Sequence, residues 1–138
     1  MKPALIVLIE DNPGDVLLVK MALEENGITH ALTQFESGIE AVESLCAPAS
    51  RELIPDVILL DLNTPRTDGF EALGTLKRSP RLAGVPIAIL TSSRAISDKR
   101  RAAIQGARYI EKPSQLDEFL SSVGQAVKEM LEQESADD

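Results

Sequence analysis

Short apolar runs recur along the chain at Ala4–Ile9, His30–Phe35, Asp56–Leu60, Pro86–Leu90 and Ala107–Ile110, each about one strand long. The run at His30 alternates with polar residues and reads as an edge strand. Between the runs the apolar positions fall at helical spacing, and polar residues mark where several helices start. Asn12-Pro13-Gly14-Asp15 places an N-cap residue before a Pro suited to the first helical position, with an acid at the positive end of the helix dipole. This predicts a helix from Asn12 to Asn26-Gly27. Ser37-Gly38-Ile39-Glu40 and Ser114-Gln115-Leu116-Asp117 read as capping boxes that open the second and last helices. In the last helix Leu116, Phe119, Leu120, Val123, Val127 and Met130 form one apolar stripe suited to packing on a sheet.

Strand and helix thus alternate five times. The near-continuous apolar strands point to burial on both faces, which is the pattern of a parallel sheet covered by helices. The fold expected is α/β: a single doubly wound five-stranded parallel sheet in the flavodoxin-like order 2-1-3-4-5, with helices on both faces. One domain spans residues 1–131, residues 132–138 form an acidic tail expected to fray, and Ala47 to Pro55 is a longish connection within the domain. No residues remain for an output domain, so the expectation is a protein that acts by touching something else.

Composition narrows the partners. The 138 residues carry 22 acidic against 14 basic side chains, net −8, with only 3% aromatics, which argues against a nucleic-acid binder that needs a basic face and stacking platforms. The apolar run at the N-terminus is interrupted by Glu10 and Asp11 before it could span a bilayer or serve as a signal core, so neither membrane nor export is expected. Cys46 is the only cysteine, and a cytoplasmic location is the default reading. Cys46 reads as a small core residue, and the one histidine, His30, as an exposed edge-strand residue without a ligand role.

Ligands bind beyond the carboxyl ends of the strands in such sheets, at the switch point. The residues just past the strands are polar: Glu10-Asp11 after the first, Asp61 after the third, Thr91 with Ser92 and Ser93 after the fourth, and Lys112-Pro113 after the fifth. The second strand contributes nothing obvious. Asp11 and Asp61, with Glu10 behind them, concentrate negative charge that a divalent cation relieves. An all-oxygen set without His or Cys selects Mg2+, with Mn2+ as an alternative, over zinc or copper. Lys112 and the Thr91 hydroxyl suit the oxygens of a phosphoryl group. A carboxylate can attack phosphorus when a metal offsets the anionic repulsion, and Asp61 is the choice for that role.

The strings Ile9-Glu10-Asp11-Asn12, Leu60-Asp61-Leu62-Asn63-Thr64-Pro65-Arg66-Thr67-Asp68-Gly69, Leu90-Thr91-Ser92 and Tyr109-Ile110-Glu111-Lys112-Pro113 together resemble the receiver domain of bacterial two-component response regulators. The resemblance covers essentially the whole chain. The early Glu-Asp-Asn-Pro-Gly-Asp and the long loop before the third strand are similar to the stand-alone regulators of phytochrome-type histidine kinases. Thr64 departs from the family, which usually has Met or another apolar residue there, and Glu10 replaces the more usual Asp.

The resemblance implies a phosphoacceptor, Asp61, supplied by a sensor histidine kinase. It implies a metal held by Asp11, Asp61 and the Asn63 carbonyl, with Glu10 acting through water, and phosphate oxygens met by Thr91, Ser92 and Lys112. It also implies a switch in which Thr91 moves and Tyr109 turns inward, a cis Lys112–Pro113 bond, and output through the fourth helix, fifth strand and fifth helix. Arg94, Lys99, Arg100 and Arg101 lie near the fourth helix and Asp117, Glu118, Glu129 and Glu132 along the fifth, which suggests a two-fold homodimer. The competing readings are a haloacid-dehalogenase-type phosphatase with Asp61 as nucleophile, although Asn63 stands where its second acid is needed, and a phosphorylation-independent interaction module. A flavodoxin is disfavoured by the scarcity of aromatics.

Overall fold

The computed structural model describes residues 2–47 and 54–136, with side chains through Gln133. Five strands, β1 (Ala4–Ile9), β2 (His30–Phe35), β3 (Val57–Leu60), β4 (Ile87–Thr91) and β5 (Arg108–Glu111), alternate with five helices, α1 (Pro13–Glu25), α2 (Gly38–Cys46), α3 (Gly69–Arg78), α4 (Ile96–Ile104) and α5 (Leu116–Ala136). All strand pairs are parallel, in the order β2-β1-β3-β4-β5. Most of the connection after Cys46 lies outside the described residues.

The core has two layers, because alternate side chains of each strand point to opposite faces. Ile6, Leu8, Val57, Leu59, Ala88 and Leu90 face α1 and α5, where they meet Val19, Leu23, Phe119, Val123 and Val127. Val7, Ile9, Ile58, Leu60, Ile87 and Ile89 face the opposite layer, with Ala41, Leu45, Leu73, Leu76 and Ala102 from α2, α3 and α4. Burial is nearly complete on β1, β3 and β4, while β2 and β5 are half-exposed edges.

The local signals act largely as read. The Asn12 side chain accepts from the Gly14 and Asp15 amides and starts α1. Ser37 accepts from the Glu40 amide at the start of α2, but Glu40 reaches back to the Glu36 amide rather than to that of Ser37. Asp68 caps α3 through the Phe70 and Glu71 amides. Close packing of the loop before α3 requires Gly69, because a Cβ there would lie 2.6 Å from the Leu62 Cα.

Several expectations need correction. The last helix begins at Leu116, one residue past the start a Ser114 cap implies, and Leu116 is exposed rather than part of the stripe. It continues to Ala136. Asp137 and Asp138 lie outside the described residues. No cis peptide occurs among the described residues, so Lys112–Pro113 is trans, the intrinsically preferred isomer. His30 is half-buried, with Nδ1 2.9 Å from the Ile28 carbonyl. Cys46 is likewise half-buried and packs against the α2–α4 layer.

Candidate functional site

The site forms where the sheet changes direction, between β1 and β3. Ile9 pairs with Phe35 on one side and Leu60 on the other. The Glu10 amide continues that ladder to the Phe35 carbonyl (2.9 Å) and the Asp61 amide continues it to the Ile9 carbonyl (3.0 Å). The two acids therefore leave neighbouring strands at the same level. At the other edge the Lys112 amide bonds the Thr91 carbonyl at 2.7 Å, which carries the β4–β5 pairing up to the lysine.

One carboxylate oxygen from each of Glu10, Asp11 and Asp61 lies within 4.8 Å of the others. Glu10 and Asp61 are buried, at 1% and 6% exposure, and Asp11 is exposed. Burial pushes the Glu10 carboxyl up to about 7, with Asp61 adding to the rise and Lys112 opposing it. Buried acids crowded this closely, short of positive charge, fit a hard divalent cation with oxygen ligands.

Lys112 reaches across the mouth of the site. Its ammonium lies 2.9 Å from Asp15 Oδ2, 3.0 Å from Glu10 Oε2 and 3.3 Å from Asp61 Oδ2. Burial alone would lower its pKa, but the hydrogen bond to Asp15 and the charges of Asp61 and Glu10 outweigh it and raise the pKa above the ordinary lysine value. Asp61 Oδ1 accepts the Asn63 amide at 3.0 Å, so both oxygens of this carboxylate are held by groups on the chain.

On the opposite flank Thr91 is fully buried and its hydroxyl accepts the Ser93 amide at 3.2 Å. Ser93 is a junction: its carbonyl accepts the Tyr109 hydroxyl at 2.6 Å, and its own hydroxyl bonds Asp98 of α4 at 2.7 Å. Tyr109 is thus turned in on the loop after β4, with its ring against the α2–α4 layer. Ser92 is exposed next to Thr91, and Asn63 is exposed on the loop after β3.

The structure thus brings together Glu10, Asp11, Asp61 and Lys112, with Thr91 and Tyr109 joined through Ser93. It adds residues that sequence reasoning missed. Asp15 reads from sequence only as a helix-dipole acid, and its contact with Lys112, 97 positions away, has no local signal. Gln34, on the strand read as contributing nothing, donates to the Glu10 carbonyl at 2.9 Å. Thr64, the departure from the family pattern, is buried and accepts the Gly38 amide at 3.3 Å, so its hydroxyl ties the loop after β3 to the first turn of α2.

The switch-point sheet, the acidic pocket, and the threonine and lysine on the two strands beyond it define a receiver-type signalling domain. The chain belongs to the response regulator receiver domain family, whose pattern matches residues 6–124. Receiver domains of this family are phosphoacceptor switches rather than enzymes in the usual sense.

The chain is similar to the phosphorylated cyanobacterial phytochrome response regulator RcpA, with 30% identity, 96% of each chain covered and a TM-score of 0.86. It is also similar to response regulator Rcp1 of Synechocystis sp. (strain ATCC 27184 / PCC 6803 / Kazusa), at 38% identity over 93 residues, 66% of this chain and 63% of Rcp1. The Mn(2+)-bound structure of Rcp1 superposes over 94% of this chain and 96% of that one, with 31% identity and a TM-score of 0.83. The receiver domain of sensor histidine kinase PA1611 from Pseudomonas aeruginosa PAO1, with a magnesium ion coordinated in its active-site cleft, covers 96% of this chain and 97% of its own, with 26% identity and a TM-score of 0.71. None of the helices among the described residues is long and apolar enough to cross a membrane.

Proposed function

We propose that this chain is a phosphorylation switch in which Asp61 accepts a phosphoryl group from a phosphohistidine on a sensor histidine kinase. The observation that carries the reading is the setting of Asp61. It is a buried carboxylate beyond β3, held by the Asn63 amide and the Lys112 ammonium and close to two further acids. In the transfer an Asp61 carboxylate oxygen forms a bond to phosphorus while the bond from phosphorus to the donor imidazole nitrogen breaks. The nitrogen keeps the electron pair and is protonated from solvent as needed, and the product is an acyl phosphate.

Asp11, Asp61 and the Asn63 backbone carbonyl would hold Mg2+ or Mn2+, with Glu10 acting through water. The cation supplies positive charge against the repulsion between carboxylate and phosphoryl oxygens. Lys112 gives the incoming phosphoryl group a hydrogen bond and a positive charge, and Thr91, with Ser92 beside it, meets the other oxygens. When the Thr91 hydroxyl turns to a phosphoryl oxygen it gives up the Ser93 amide. Ser93 also holds Tyr109 and Asp98, so the change passes to β5 and α4.

The signalling face then comprises α4, β5 and α5, where Ile96, Ile104 and Leu116 are exposed apolar side chains. The charge asymmetry behind the homodimer is partly spent within the protomer. Arg94 and Lys99 pair with Glu111, Arg108 pairs with Glu129, and Arg101 lies 4.0 Å over the Phe70 ring. The exposed apolar side chains therefore support a two-fold pair through this face better than the charges do, and sedimentation of phosphorylated and unphosphorylated protein tests it. Likeness to RcpA and Rcp1 supports a phytochrome-type kinase as partner, and the net charge of −8 with few aromatics supports a role without direct binding to DNA.

The test is incubation with acetyl phosphate and magnesium, with intact mass measured afterwards. Wild type gains one phosphoryl group and Asp61→Asn gains none. Equal gain in both variants, or none in either, overturns the reading.

A further inference from the structure

The shortest of the three contacts to the Lys112 ammonium comes from Asp15, which the assigned roles leave unused. We infer that Asp15 is a positioning residue for Lys112 in the phosphoryl transfer, an inference that rests on the reading of Asp61 as phosphoacceptor.

An acid in the first turn of a helix is ordinarily explained by the helix dipole. Asp15 does more than that, because its Oδ2 lies 2.9 Å from Lys112 Nζ, a residue 97 positions away in the chain. The contact follows from local geometry. Asn12 caps α1 through the Gly14 and Asp15 amides, which fixes the first turn beside the end of β1. Helix side chains lean toward the N-terminus, so the Asp15 carboxylate extends to the mouth of the sheet where Lys112 arrives from β5. The pair is sheltered, with side-chain exposure of 13% for Lys112 and 28% for Asp15.

An ammonium has three donors, and here each faces a different carboxylate. Asp61, the acid that changes chemically on phosphorylation, has the longest contact, 3.3 Å. Exchange of that one contact for a phosphoryl oxygen leaves Glu10 and Asp15 as two fixed anchors. The lysine is then oriented before the donor arrives, and its long flexible stem need not be ordered during the transfer. The location of Asp15 supports a geometric role over an electrostatic one. A further negative charge beside an already acidic pocket repels an anionic donor, so the acid serves the reaction only by what it does to Lys112.

The test compares rate constants for phosphorylation by acetyl phosphate at saturating magnesium, read by intact mass. Asp15→Ala removes both charge and acceptor, whereas Asp15→Asn removes the charge and keeps an oxygen for the ammonium. The positioning role predicts a loss of about tenfold for Asp15→Ala, with Asp15→Asn at least about threefold faster than Asp15→Ala. In a Lys112→Ala background Asp15→Ala has no further effect, which a general loss of stability would not produce. Should Asp15→Ala not fold, Asp15→Ser, tolerated in a first helical turn but too short to reach Nζ, takes its place. Asp15→Ala at or above the wild-type rate, equal rates for Asp15→Ala and Asp15→Asn, or the same loss without Lys112 would overturn the inference while wild type is still phosphorylated. Wild type that takes no phosphoryl group overturns the reading of Asp61 as acceptor, and the role of Asp15 with it.

Discussion

The α1–α5 joint holds the helix that carries Asp15, and one glycine decides how closely it closes. Asn26, at the end of α1, donates from Nδ2 to the Ala22 carbonyl at 2.7 Å and to the Leu120 carbonyl of α5 at 3.0 Å. It lies across Gly124, where a Cβ would fall 1.8 Å from Asn26 Nδ2 and 2.9 Å from its Cβ. Gly124→Ala therefore displaces the amide and costs two hydrogen bonds worth about 1 kcal/mol each, plus about 1 kcal/mol of overpacking. The gain in helix propensity offsets about 1 kcal/mol, for a net loss of about 2 kcal/mol. In a domain of this size that lowers Tm by about 8 °C. Removal of the obstruction reverses the sign: an Asn26→Gly background lacks the three atoms nearest the new methyl, and Gly124→Ala there stabilises by about 1 kcal/mol. Urea unfolding of the four proteins gives the cycle. Equal effects of Gly124→Ala in both backgrounds would refute the steric argument.

The site itself yields further expected outcomes. Glu10 has a folded pKa of about 7 against an ordinary 4.5, so in chelator the folded state holds a proton that the unfolded state releases between those values. Its contribution is complete below pH 4.5 and is lost as pH rises to about 7, at most about 3 kcal/mol, so urea melts of wild type should weaken over that window relative to Glu10→Gln. Parallel curves would contradict this. Asp11 is exposed and crowded by two other acids, so Asp11→Asn does not lower the melting temperature in chelator but weakens Mg2+ binding at least about tenfold by calorimetry; unaltered binding would remove Asp11 from the ligand set. Thr64→Val strips the Gly38 amide of its acceptor and lowers stability by about 1 kcal/mol in denaturant melts, whereas an unchanged midpoint would mean the 3.3 Å contact contributes nothing.

Local signals were readable from sequence because they act over a few residues. Asn12, Ser37 and the apolar runs specify the start of α1, the start of α2 and all five strands, and the strand ends then locate Glu10, Asp11, Asp61, Thr91 and Lys112. The features that were missed depend on distant segments meeting in space. The grip of Asp15 on Lys112, the bond from Gln34 to the Glu10 carbonyl and the tie from Thr64 to α2 join residues on separate elements, and no periodicity encodes them. The start of α4 carried no usable signal, since Ala95 offers no side-chain cap and Ser93 lies outside the helix. The charged residues around α4 and α5 looked like two free patches because pairing between Arg94 and Glu111, or Arg108 and Glu129, appears only once β5 is placed beside both helices.

The central claim is that one particular carboxylate becomes an acyl phosphate. Borohydride reduces an acyl phosphate to the alcohol, which converts a phosphorylated aspartate to homoserine and leaves free carboxylates untouched. After phosphorylation by a histidine kinase or acetyl phosphate, reduction and peptide mass mapping should find homoserine at position 61 and nowhere else. Homoserine at another acid, or none in protein that has gained phosphate, would contradict the account.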